Sequence, residues 1–353
     1  MAKDNQLFTN IPTQWVGPIS FMDGDTTEEL VNVPLASYES PLWPSTNRGA
    51  KVSRACGGIQ CTLVDERMSR SIAVRAKNSK AAHDVWQFLQ KRKDEMDQVV
   101  QSTSSIARLI DVNRQIVGRI LYLRFECSTG DASGHNMVTK AADALLSWIL
   151  EEYPELEYST ISANYCTDKK VSAVNGILGR GKYVIAEIEV SEEICKKILR
   201  TTPEKIVQLN LEKNLLGSVL AGSLRSCNAH FANILLAFYL ATGQDAANII
   251  EGSQGIVHCE VTENKGLYFS VTLPNLILGS VGNGKELDQI HENLRAMGCK
   301  EDHEVGKNAQ RLASICAATV LCGELSLLAA QTNPGELMRS HILMERSANK
   351  NEN

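Results

Sequence analysis

Apolar residues recur every three or four positions in several stretches of the chain, which is the spacing of helices buried on one side. Ala81, Val85, Phe88 and Leu89 have this spacing. In SEEICKKILR, a serine suited to cap a helix precedes two acidic residues of the first turn. The predicted helices cover residues 80–99, the segment from GDASGHNM to Tyr153, SEEICKKILR, residues 214–241 and residues from about 308 to 331.

Strands are predicted between these helices. ILYLRFEC at 120–127 is strongly apolar, YVIAEIEV at 183–190 alternates, and strand signals return at 256–275. The first fifty residues are rich in Pro, Ser, Thr and Gly, which predicts extended chain and turns over the surface. Helices and strands that follow one another in this way indicate a mixed α/β protein.

Composition indicates a globular protein without a general affinity for polyanions. The chain has 353 residues, 43% of them hydrophobic and 22% charged, and a formal net charge of −5. This length predicts two domains, or one domain that carries an insertion. The acidic balance gives no reason to bind nucleic acid or an anionic membrane. Any anion site must therefore be local.

The termini and the cysteines point to a cytoplasmic protein. The stretch MAKDNQLFTNIPTQW lacks the pattern of a secretory signal, and no run of apolar residues approaches the length of a membrane span. The ten cysteines are scattered without metal-ligand spacing, so we expect reduced thiols and no metal. The tail after Ser347 is expected to be disordered.

Two glycine-containing loops are candidates for binding phosphate. GSVGNGKE at 279–286 resembles a nucleotide P-loop, but Glu286 stands where that motif has Ser or Thr. GDASGHNM leads into a predicted helix, whose first N–H groups and positive dipole end suit an anion. Glycine loops before helices are common, so each loop alone is a weak signal.

A cluster of charge is present in NYCTDKK at 164–170. Two adjacent ammonium groups lower each other's pKa and attract an anion, and Asp168 can orient one of them. A solvated, charged turn is the alternative, and it is the commoner fate of such residues.

Other polar residues have two interpretations each. Asp245 suits either a helix cap or a site, and the group Asn228, His230 and Asn233 suits either the core or a cleft. His341 lies among arginines, where it is either exposed or a general acid beside a phosphate site. Glu39 carries no signal alone.

Taken together, these segments resemble one family, 3-hydroxy-3-methylglutaryl-coenzyme A (HMG-CoA) reductase, in the class that includes the eukaryotic enzymes. The resemblance spans nearly the whole chain and concerns a catalytic portion without a membrane domain. The matching stretches are STNRG at 45–49, STGDASGHNM at 128–137, SANYCTDKK at 162–170, EKNLLGSVLAGS at 212–223, NAHFAN at 228–233, GQDAAN at 243–248, GSVGNG at 279–284, GELSLLAA at 323–330 and RSH at 339–341.

The resemblance implies a four-electron reduction of HMG-CoA to mevalonate and coenzyme A by two NADPH, with mevaldehyde between the two hydride transfers. It assigns Lys169 to stabilising the oxyanion and Glu39 to protonating the mevaldehyde carbonyl. Asp245 would link these two residues. His341 would protonate the departing thiolate. No metal is required, so the likeness to a P-loop is coincidental.

The resemblance also implies binding residues. Substrate contacts carry over to Arg70, Ser162, Asp168, Lys170, Lys213, His230 and Asn233, and coenzyme A contacts to Ser45 and Arg48. Cofactor contacts carry over to Asp131, Ala132, Ser133, Gly134, His135, Asn136, Gly282, Asn283, Gly284, Lys285 and Arg346.

The implied fold is α+β, with a large, mainly helical substrate-binding domain and an inserted small α/β, ferredoxin-like cofactor-binding domain. The boundaries are 1–71 for the first part of the large domain, 72–160 for the insertion, and 161–353 for the second part, with the catalytic loop and the C-terminal histidine. A homodimer or homotetramer with the active site between subunits is expected, although the family's E-N-x-x-G dimer motif is absent from this sequence.

The sequence departs from the family at the cofactor loops. Asn283 and Lys285 interrupt a loop that is usually richer in glycine and ends in Thr. Ser105 replaces a basic residue expected to bind the 2′-phosphate of NADPH, a role that Arg108 or Lys285 could take. NADH is therefore a possible cofactor. Ser347 lies where eukaryotic relatives carry an inhibitory phosphorylation site, but Leu343 and Met344 offer no basic recognition residue, so no such regulation is expected.

Two further functions remain open from the sequence. A catalytically idle homologue would bind coenzyme A thioesters without reducing them, although it would be expected to have lost part of the catalytic set. A P-loop nucleotidase would bind ATP and magnesium at Lys285, but it should also have a second acidic magnesium motif after a strand, which the sequence lacks.

Overall fold

The computed structural model describes residues 7, 9–24 and 27–342, except the side chains of Ser340 and His341. Strands occur along most of this part of the chain. They are β1 Thr13–Asp23, β2 Glu29–Ala36, β3 Ile59–Arg75, β4 Leu109–Val117, β5 Ile120–Cys127, β6 Glu157–Thr160, β7 Gly181–Val190, β8 Ile256–Val261 and β9 Leu267–Leu276.

Helices alternate with these strands. They are α1 Leu42–Ala55, α2 Ser79–Leu89, α3 Lys93–Thr103, α4 His135–Glu152, α5 Ala173–Leu178, α6 Glu192–Ile194, α7 Pro203–Leu209, α8 Ser218–Ala221, α9 Phe231–Ala241, α10 Ile249–Gly252, α11 Asp288–Ala296, α12 Lys307–Gln331 and α13 Glu336–His341. Cys195–Leu199 and Asn210–Gly217 form π-helical segments, and Ala246–Asn248 forms a 3₁₀ turn. The fold is therefore mixed α/β, as predicted.

A six-stranded sheet in the order β2-β1-β3-β7-β9-β8 lies in the larger of two hydrophobic clusters. Its neighbours pair antiparallel, apart from the parallel contact between β1 and β3. Helices α1, α9 and α12 pack around it, and nearly all of α12 is buried. The site loops at the ends of these elements are thus held by one rigid core.

The long strand β3 continues into a second group of strands. Its distal half pairs with β5 and β6, and β5 pairs with β4. Helices α2, α3 and α4 cover this group and form a second hydrophobic cluster that also includes Ile277. The two clusters therefore share β3 as a common support.

The interpretation of the first fifty residues as surface chain was wrong. Strands β1 and β2 belong to the larger sheet, and Ile19, Phe21, Val33 and Leu35 are fully buried. The STNRG segment lies inside α1, a helix that packs on α12. The buried residues of β1 and β2 occur in runs, Ile19–Phe21 and Val33–Ala36, rather than in strict alternation, so no strand periodicity marked this region in the sequence.

Two predicted helices are broken. Residues 80–99 form α2 and α3, because the chain turns at Gln90, Lys91 and Arg92 so that both helices bury an apolar face. Residues 214–241 end their first helical part at Gly222, which has a φ of 71°, and resume only at α9. The small residues here make a loop rather than a continuous packed helix.

Other predicted elements are confirmed. Strand β5 spans the predicted 120–127, β7 contains 183–190, and β8 with β9 forms a hairpin over 256–276. Helix α4 begins at His135, within the GDASGHNM stretch. The side chain of Ser191 caps α6 by accepting from the Ile194 N–H. All ten cysteines are free thiols.

Helix α12 is long and apolar enough to cross a membrane by length and composition. In this fold, 94% of its most apolar window is buried inside the protein. It is the central core helix.

Candidate active site

A cleft of about 840 Å³, called here the glycine-lined cleft, lies between the two hydrophobic clusters. This volume is within the range of small-molecule sites. Its lining residues are Arg70, Ala132, Ser133, Gly134, His135, Asn136, Met137, Asp168, Lys169, Gly243, Gln244, Asp245, Val281, Gly282, Asn283, Gly284 and Lys285. The structure thus brings together most of the predicted cofactor residues with Lys169 and Asp245.

The two glycine loops lie against each other. A Cβ on Gly279 would be 2.4 Å from the backbone nitrogen of Ser133, so only glycine permits this approach. The side chain of Gln244 holds the second loop from the other side, because it accepts from the Gly279 N–H and donates to the Gly279 carbonyl, each at 3.0 Å. The loops therefore form one surface of the cleft.

Asp131 supports this surface without lining the cleft. Its carboxylate accepts from the N–H groups of Gly306 and Ala309 at 2.8 and 2.9 Å, at the start of α12. Its carbonyl accepts from the Ser280 N–H at 2.9 Å. In this chain Asp131 is engaged in capping the core helix and joining the loops.

Helix α4 opens into the glycine-lined cleft. It begins at His135 after Gly134, whose φ of 92° favours glycine. Burial, followed by the positive charge of Arg180, lowers the pKa of His135 to about 4. Its imidazole is therefore neutral at physiological pH, with Nε2 at 3.7 Å from Asp168 Oδ1.

Lys169 and Asp245 form the central ion pair of the cleft, although they are far apart in the chain. Lys169 Nζ lies 2.7 Å from Asp245 Oδ2. The hydrogen bond to Asp245 raises the pKa of Lys169. Partial burial opposes ionisation of Asp245, but hydrogen bonds from Lys169 and the Ala247 N–H keep the pKa of Asp245 below its usual value. Both groups are charged at neutral pH.

The loop that carries Lys169 has an unusual backbone. Asn164, Thr167 and Lys169 have φ values of 60°, 45° and 55°. A non-glycine residue in such a conformation costs about 1–3 kcal/mol and persists where surrounding contacts fix it. The solvated-turn alternative for NYCTDKK does not describe this segment, because Cys166 is buried and its N–H donates to the Ser71 hydroxyl.

Buried charges lie behind this loop. Arg180 Nη1 is 2.9 Å from both Asp168 Oδ1 and Glu251 Oε1, and the side chains of Arg180 and Glu251 are fully buried. Glu251 also accepts from the backbone N–H of Lys169 at 3.0 Å. Burial raises the pKa of Glu251. Asp168 is thus engaged by the buried Arg180.

The remaining predicted substrate residues of this region are spread out. Arg70 donates to Ser162 Oγ at 3.1 Å, and Lys170 donates to the Asp168 carbonyl at 3.0 Å. Ser162 and Lys170 are exposed beside the cleft. Lys213 is half-buried in the π-helical segment Asn210–Gly217 and lines neither of the clefts described here.

Lys285 and Arg108 differ as candidates for the 2′-phosphate role. Lys285 is only 4% exposed, and its ammonium donates to the Gly243 carbonyl at 2.7 Å. Burial lowers the pKa of Lys285 to about 8. Arg108 instead lies over Ser105, since Nη1 donates to the Ser105 carbonyl at 3.1 Å. Lys285 thus lines the glycine-lined cleft, whereas Arg108 contacts the backbone of Ser105.

A second cleft of about 740 Å³, called here the α1–α12 cleft, has a more apolar lining. It lies beside helices α1 and α12. Its lining residues are Glu39, Pro41, Leu42, Pro44, Ser45, Arg48, Ile198, Arg200, His230, Asn233, Leu327, Ala330, Gln331, Glu336, Leu337 and Arg339. The structure thus places Glu39, both predicted coenzyme A residues and two substrate residues here, apart from Lys169.

Polar groups in the α1–α12 cleft are held by neighbours. Asn233 Nδ2 donates to Glu39 Oε2 at 2.9 Å. His230 Nδ1 lies 2.8 Å from Glu324 Oε2, and the fully buried Glu324 also accepts from the N–H of His230 at 3.1 Å. His230 is therefore oriented by a carboxylate of the core helix.

The predicted coenzyme A residues contact α12 and α13. Arg48 Nη1 lies 2.7 Å from Glu336 Oε1, and Arg48 Nε donates to Ser326 Oγ at 3.0 Å. Ser45 Oγ lies 2.9 Å from the same Ser326 hydroxyl. These contacts fix one wall of the cleft.

Part of the predicted site lies outside the described residues. His341 ends α13, but its side chain is not described, and Arg346 and Ser347 lie beyond the described chain. The expected disorder of the tail after Ser347 also falls outside this range. Within the described residues, no group of three His, Cys, Asp or Glu side chains is arranged to hold a metal ion.

Sequence reasoning missed several residues of the site. Arg180, Glu251 and Gln244 organise the glycine-lined cleft, and Glu324 organises the other. Signals existed for two of them. Arg180 is flanked by two glycines, and Glu324 is a carboxylate in an otherwise apolar stretch, where a buried charge needs partners.

Charged groups with shifted pKa values converge in a cleft of small-molecule size, which is typical of an active site. The fold and site therefore define a mixed α/β enzyme. The family model described as hydroxymethylglutaryl-coenzyme A reductase matches residues 9–346. The chain belongs to this family.

Curated relatives have the same name. The 3-hydroxy-3-methylglutaryl-coenzyme A reductase of Pyrococcus horikoshii is 44% identical over 338 residues, which cover 95% of this chain and 81% of that protein. The enzyme of Camptotheca acuminata is 41% identical over 96% of this chain, which corresponds to 57% of the plant protein. The chain thus spans most of the archaeal relative and somewhat more than half of the plant one.

A solved structure has the same fold. The class II 3-hydroxy-3-methylglutaryl-CoA reductase of Streptococcus pneumoniae, bound to NADPH in open conformations, superposes with a TM-score of 0.74. The superposition covers 94% of this chain and 88% of the Streptococcus pneumoniae chain, at 18% sequence identity. At this identity the likeness concerns the fold alone.

Proposed function

We propose that this protein reduces HMG-CoA to mevalonate and coenzyme A with two equivalents of NADPH. The observation that carries the proposal is the Lys169–Asp245 ion pair at 2.7 Å in a glycine-lined cleft, in a chain that belongs to the reductase family. The overall reaction consumes two protons in addition to two hydrides and expels coenzyme A as the thiol.

The glycine-lined cleft fits a dinucleotide. A Cβ at Gly282 would meet nothing within 4 Å, so the loop borders open space, and Gly282 and Gly284 have positive φ values of 101° and 84°. Gly134 and the first residues of α4 line the same space, and the free N–H groups of a helix start suit a pyrophosphate. Bound NADPH would supply the hydride for each reduction. The preference for NADPH over NADH would depend on Arg108.

Lys169 would stabilise negative charge on the thioester oxygen and then on the mevaldehyde oxygen. A fixed cation aimed at a developing oxyanion is among the strongest catalytic devices. Asp245 would hold the ammonium in place and keep it protonated, since it raises the pKa of Lys169. The neutral His135 would add no competing positive charge beside it.

Proton transfer would be divided between two further residues. Glu39 would donate a proton to the mevaldehyde carbonyl, with Asn233 orienting its carboxyl group through the bond at 2.9 Å. His341 would protonate the coenzyme A thiolate as it leaves. The α1–α12 cleft would hold coenzyme A along Ser45 and Arg48.

We infer that a complete site needs two copies of the chain. Glu39 and Lys169 line two clefts that share no residue, so one chain does not unite the catalytic set. The apolar side chains of Val219 and Leu220 on α8, 72% and 88% exposed, also favour a contact with another protein chain. A homodimer, or a tetramer built from dimers, would bring Glu39 of one chain to Lys169 of the other.

The domain division proposed from the sequence is supported by the two hydrophobic clusters. Residues 72–160 supply most of the second cluster, and the segments 1–71 and 161–353 supply the larger one. We accordingly propose a cofactor-binding insertion, of ferredoxin-like type, in a substrate-binding domain. Ten free thiols and the burial of α12 favour a cytoplasmic enzyme.

The test is oxidation of the reduced nicotinamide, followed by its absorbance, with HMG-CoA and either cofactor. The expected result is two NADPH consumed per mevalonate formed, and loss of that activity in Lys169→Ala. Lys80→Ala is the matched control, because Lys80 forms only an exposed ion pair on α2. Coenzyme A thioester binding without oxidation of either cofactor would instead support the idle homologue.

A further inference from the structure

Both the ammonium and the backbone N–H of Lys169 are bound by residues of one short segment of the chain. Its ammonium pairs with Asp245, and its backbone N–H donates to Glu251 at 3.0 Å. Asp245 and Glu251 flank the 3₁₀ turn Ala246–Asn248 and the start of α10. The position of the ammonium therefore depends on two anchors in the same segment, Asp245 and Glu251.

One carboxylate oxygen of Glu251 accepts three hydrogen bonds. Oε1 accepts from the Lys169 N–H at 3.0 Å, from Arg180 Nη1 at 2.9 Å and from Asn248 Nδ2 at 3.0 Å. Among the described residues, no hydrogen bond reaches Oε2, although this atom is buried. The function of this carboxylate is thus concentrated in a single, fully buried acceptor atom.

Arg180 holds Oε1 of Glu251 in place. Its guanidinium also contacts Asp168, the residue before Lys169, so it joins the catalytic loop to Glu251. The Arg180 N–H donates to the Pro274 carbonyl of β9 at 3.3 Å, and a Cβ on the following Gly181 would lie 2.4 Å from the Leu276 carbonyl oxygen. The backbone at Arg180 is therefore held against strand β9.

We infer that Glu251, oriented by Arg180, is a positioning residue for Lys169: it holds the lysine backbone in its left-handed conformation so that the ammonium stays aimed into the cleft. This inference rests on the proposed catalytic role of Lys169. Glu251 acts through the lysine, since it is fully buried and lines neither of the two clefts.

The competing explanation is that the Arg180–Glu251 ion pair serves only folding stability. Two single substitutions of Glu251 distinguish this explanation from the positioning role. Glu251→Gln keeps Oε1 at full reach but removes the charge, and its amide nitrogen takes the place of Oε2, which accepts no described hydrogen bond. Glu251→Asp keeps the charge but withdraws the oxygens by one carbon–carbon bond from the Lys169 N–H. The positioning role thus requires the side-chain length of glutamate, whereas an ion pair requires its negative charge.

The experiment measures kcat, the KM for HMG-CoA and the dissociation constant of NADPH in the full-length protein. Glu251→Gln is expected to keep kcat within about threefold of wild type, whereas Glu251→Asp should lose about tenfold or more, since small misplacements of catalytic groups are costly. KM and NADPH affinity should change little in either variant. The reverse order of kcat, with Asp more active than Gln, or equal kcat values in the two variants, would overturn the inference.

Glu66→Gln supplies the matched control. Glu66 pairs with the buried Lys182 of the neighbouring strand at 3.0 Å and accepts from Gln310. Among the described residues, it forms no hydrogen bond or ion pair with residues 164–170. Its kcat should stay within about twofold of wild type, even where its melting temperature falls as much as that of Glu251→Gln. A tenfold loss of kcat in this control would mean that any buried charge change lowers kcat, and the inference would be wrong.

Lys169→Ala separates this inference from the proposed function. If Lys169→Ala keeps wild-type activity, the proposed role of the lysine fails, and the positioning role fails with it. If Lys169→Ala is inactive while the two Glu251 variants are equally active, only the positioning role fails.

Discussion

Replacing Asp245 with asparagine tests the role of the central ion pair with the least change in shape. In the wild type, Oδ2 of Asp245 pairs with Lys169 and Oδ1 accepts from the Ala247 N–H. Asparagine has a single oxygen, which can accept from only one of these two donors at a time, and it lacks the negative charge. The wild-type side chains of Lys169 and Asp245 are 40% and 44% exposed, so water screens their attraction. For pairs this exposed, the contribution to folding stability is about 0.2–1 kcal/mol.

The dependence of that contribution on pH follows from the pKa shifts. The pKa of Lys169 is raised above 10.5 in the folded state, so its stabilising contribution is present below 10.5 and is lost as pH rises through the folded value. The pKa of Asp245 is lowered below 3.8, so its contribution is present above 3.8 and is lost as pH falls through the folded value. The melting temperature should therefore fall by no more than about 3 °C, and by the same amount throughout the neutral range.

Activity should respond far more strongly than stability. An ammonium released from Asp245 would no longer be fixed toward the oxyanion, and we expect kcat to fall by about tenfold to a hundredfold. Since Asp245 raises the pKa of Lys169, its loss should lower that pKa. The alkaline decline of kcat should then begin at lower pH than in the wild type.

The assay combines a pH profile of kcat with thermal unfolding at several pH values. Asp84→Asn is the control, because it breaks an ion pair with Lys80 that is even more exposed and lies on α2. It should leave kcat and its pH profile unchanged. A folded Asp245→Asn variant with wild-type kcat, or with an alkaline decline of kcat at the same pH as the wild type, would refute the role of Asp245. In that role Asp245 keeps Lys169 protonated and holds its ammonium in place.

Three further predictions concern proton transfer, cofactor choice and assembly. His341→Gln should lose overall reduction of HMG-CoA by about a hundredfold or more but keep most activity on added mevaldehyde, which has no thiolate to expel, whereas Lys169→Ala should lose both reactions; equal loss on mevaldehyde in a folded His341→Gln would remove the thiolate role. Ser105→Arg should raise the ratio of kcat/KM for NADPH over NADH by adding a cation near Arg108, and an unchanged ratio would separate Ser105 from the 2′-phosphate. Inactive Glu39→Gln and Lys169→Ala chains, unfolded and refolded together, should regain about a quarter of wild-type activity if each site draws on two chains; no recovery in verified mixed dimers would place both residues in the site of one chain.

Local elements with a strong periodic pattern were predictable from the sequence. Helix α12, helix α4 and strands β5 and β7 have patterns that nearby residues alone decide. The breaks at residues 90–92 and at Gly222 were not predictable, because apolar spacing continues across them and only the packing of both halves forces the turn. Strands β1 and β2 were missed, since they pair mainly with each other but are buried by helices α9 and α12, which lie far along the chain.

The candidate site divides in the same way. Short motifs identified Lys169 beside Asp168 and a glycine loop at the start of α4, since each depends on neighbours in the chain. The family resemblance added Asp245, Glu39 and the remaining roles. The glycines on both sides of Arg180 marked it out, but no local pattern indicated that Arg180 and Glu251 contact the loop that carries Lys169.

By itself, the sequence determined the mixed α/β class, the main helices and strands, and the segments that carry the chemistry, because helical and strand periodicity and loop composition act over short distances. Only the tertiary structure decided that Lys169 meets Asp245, that Arg180 and Glu251 lie behind them, and that Glu39 lines another cleft. These outcomes depend on contacts between residues far apart in the chain. They are fixed by how the two hydrophobic clusters pack around β3, which no local pattern encodes.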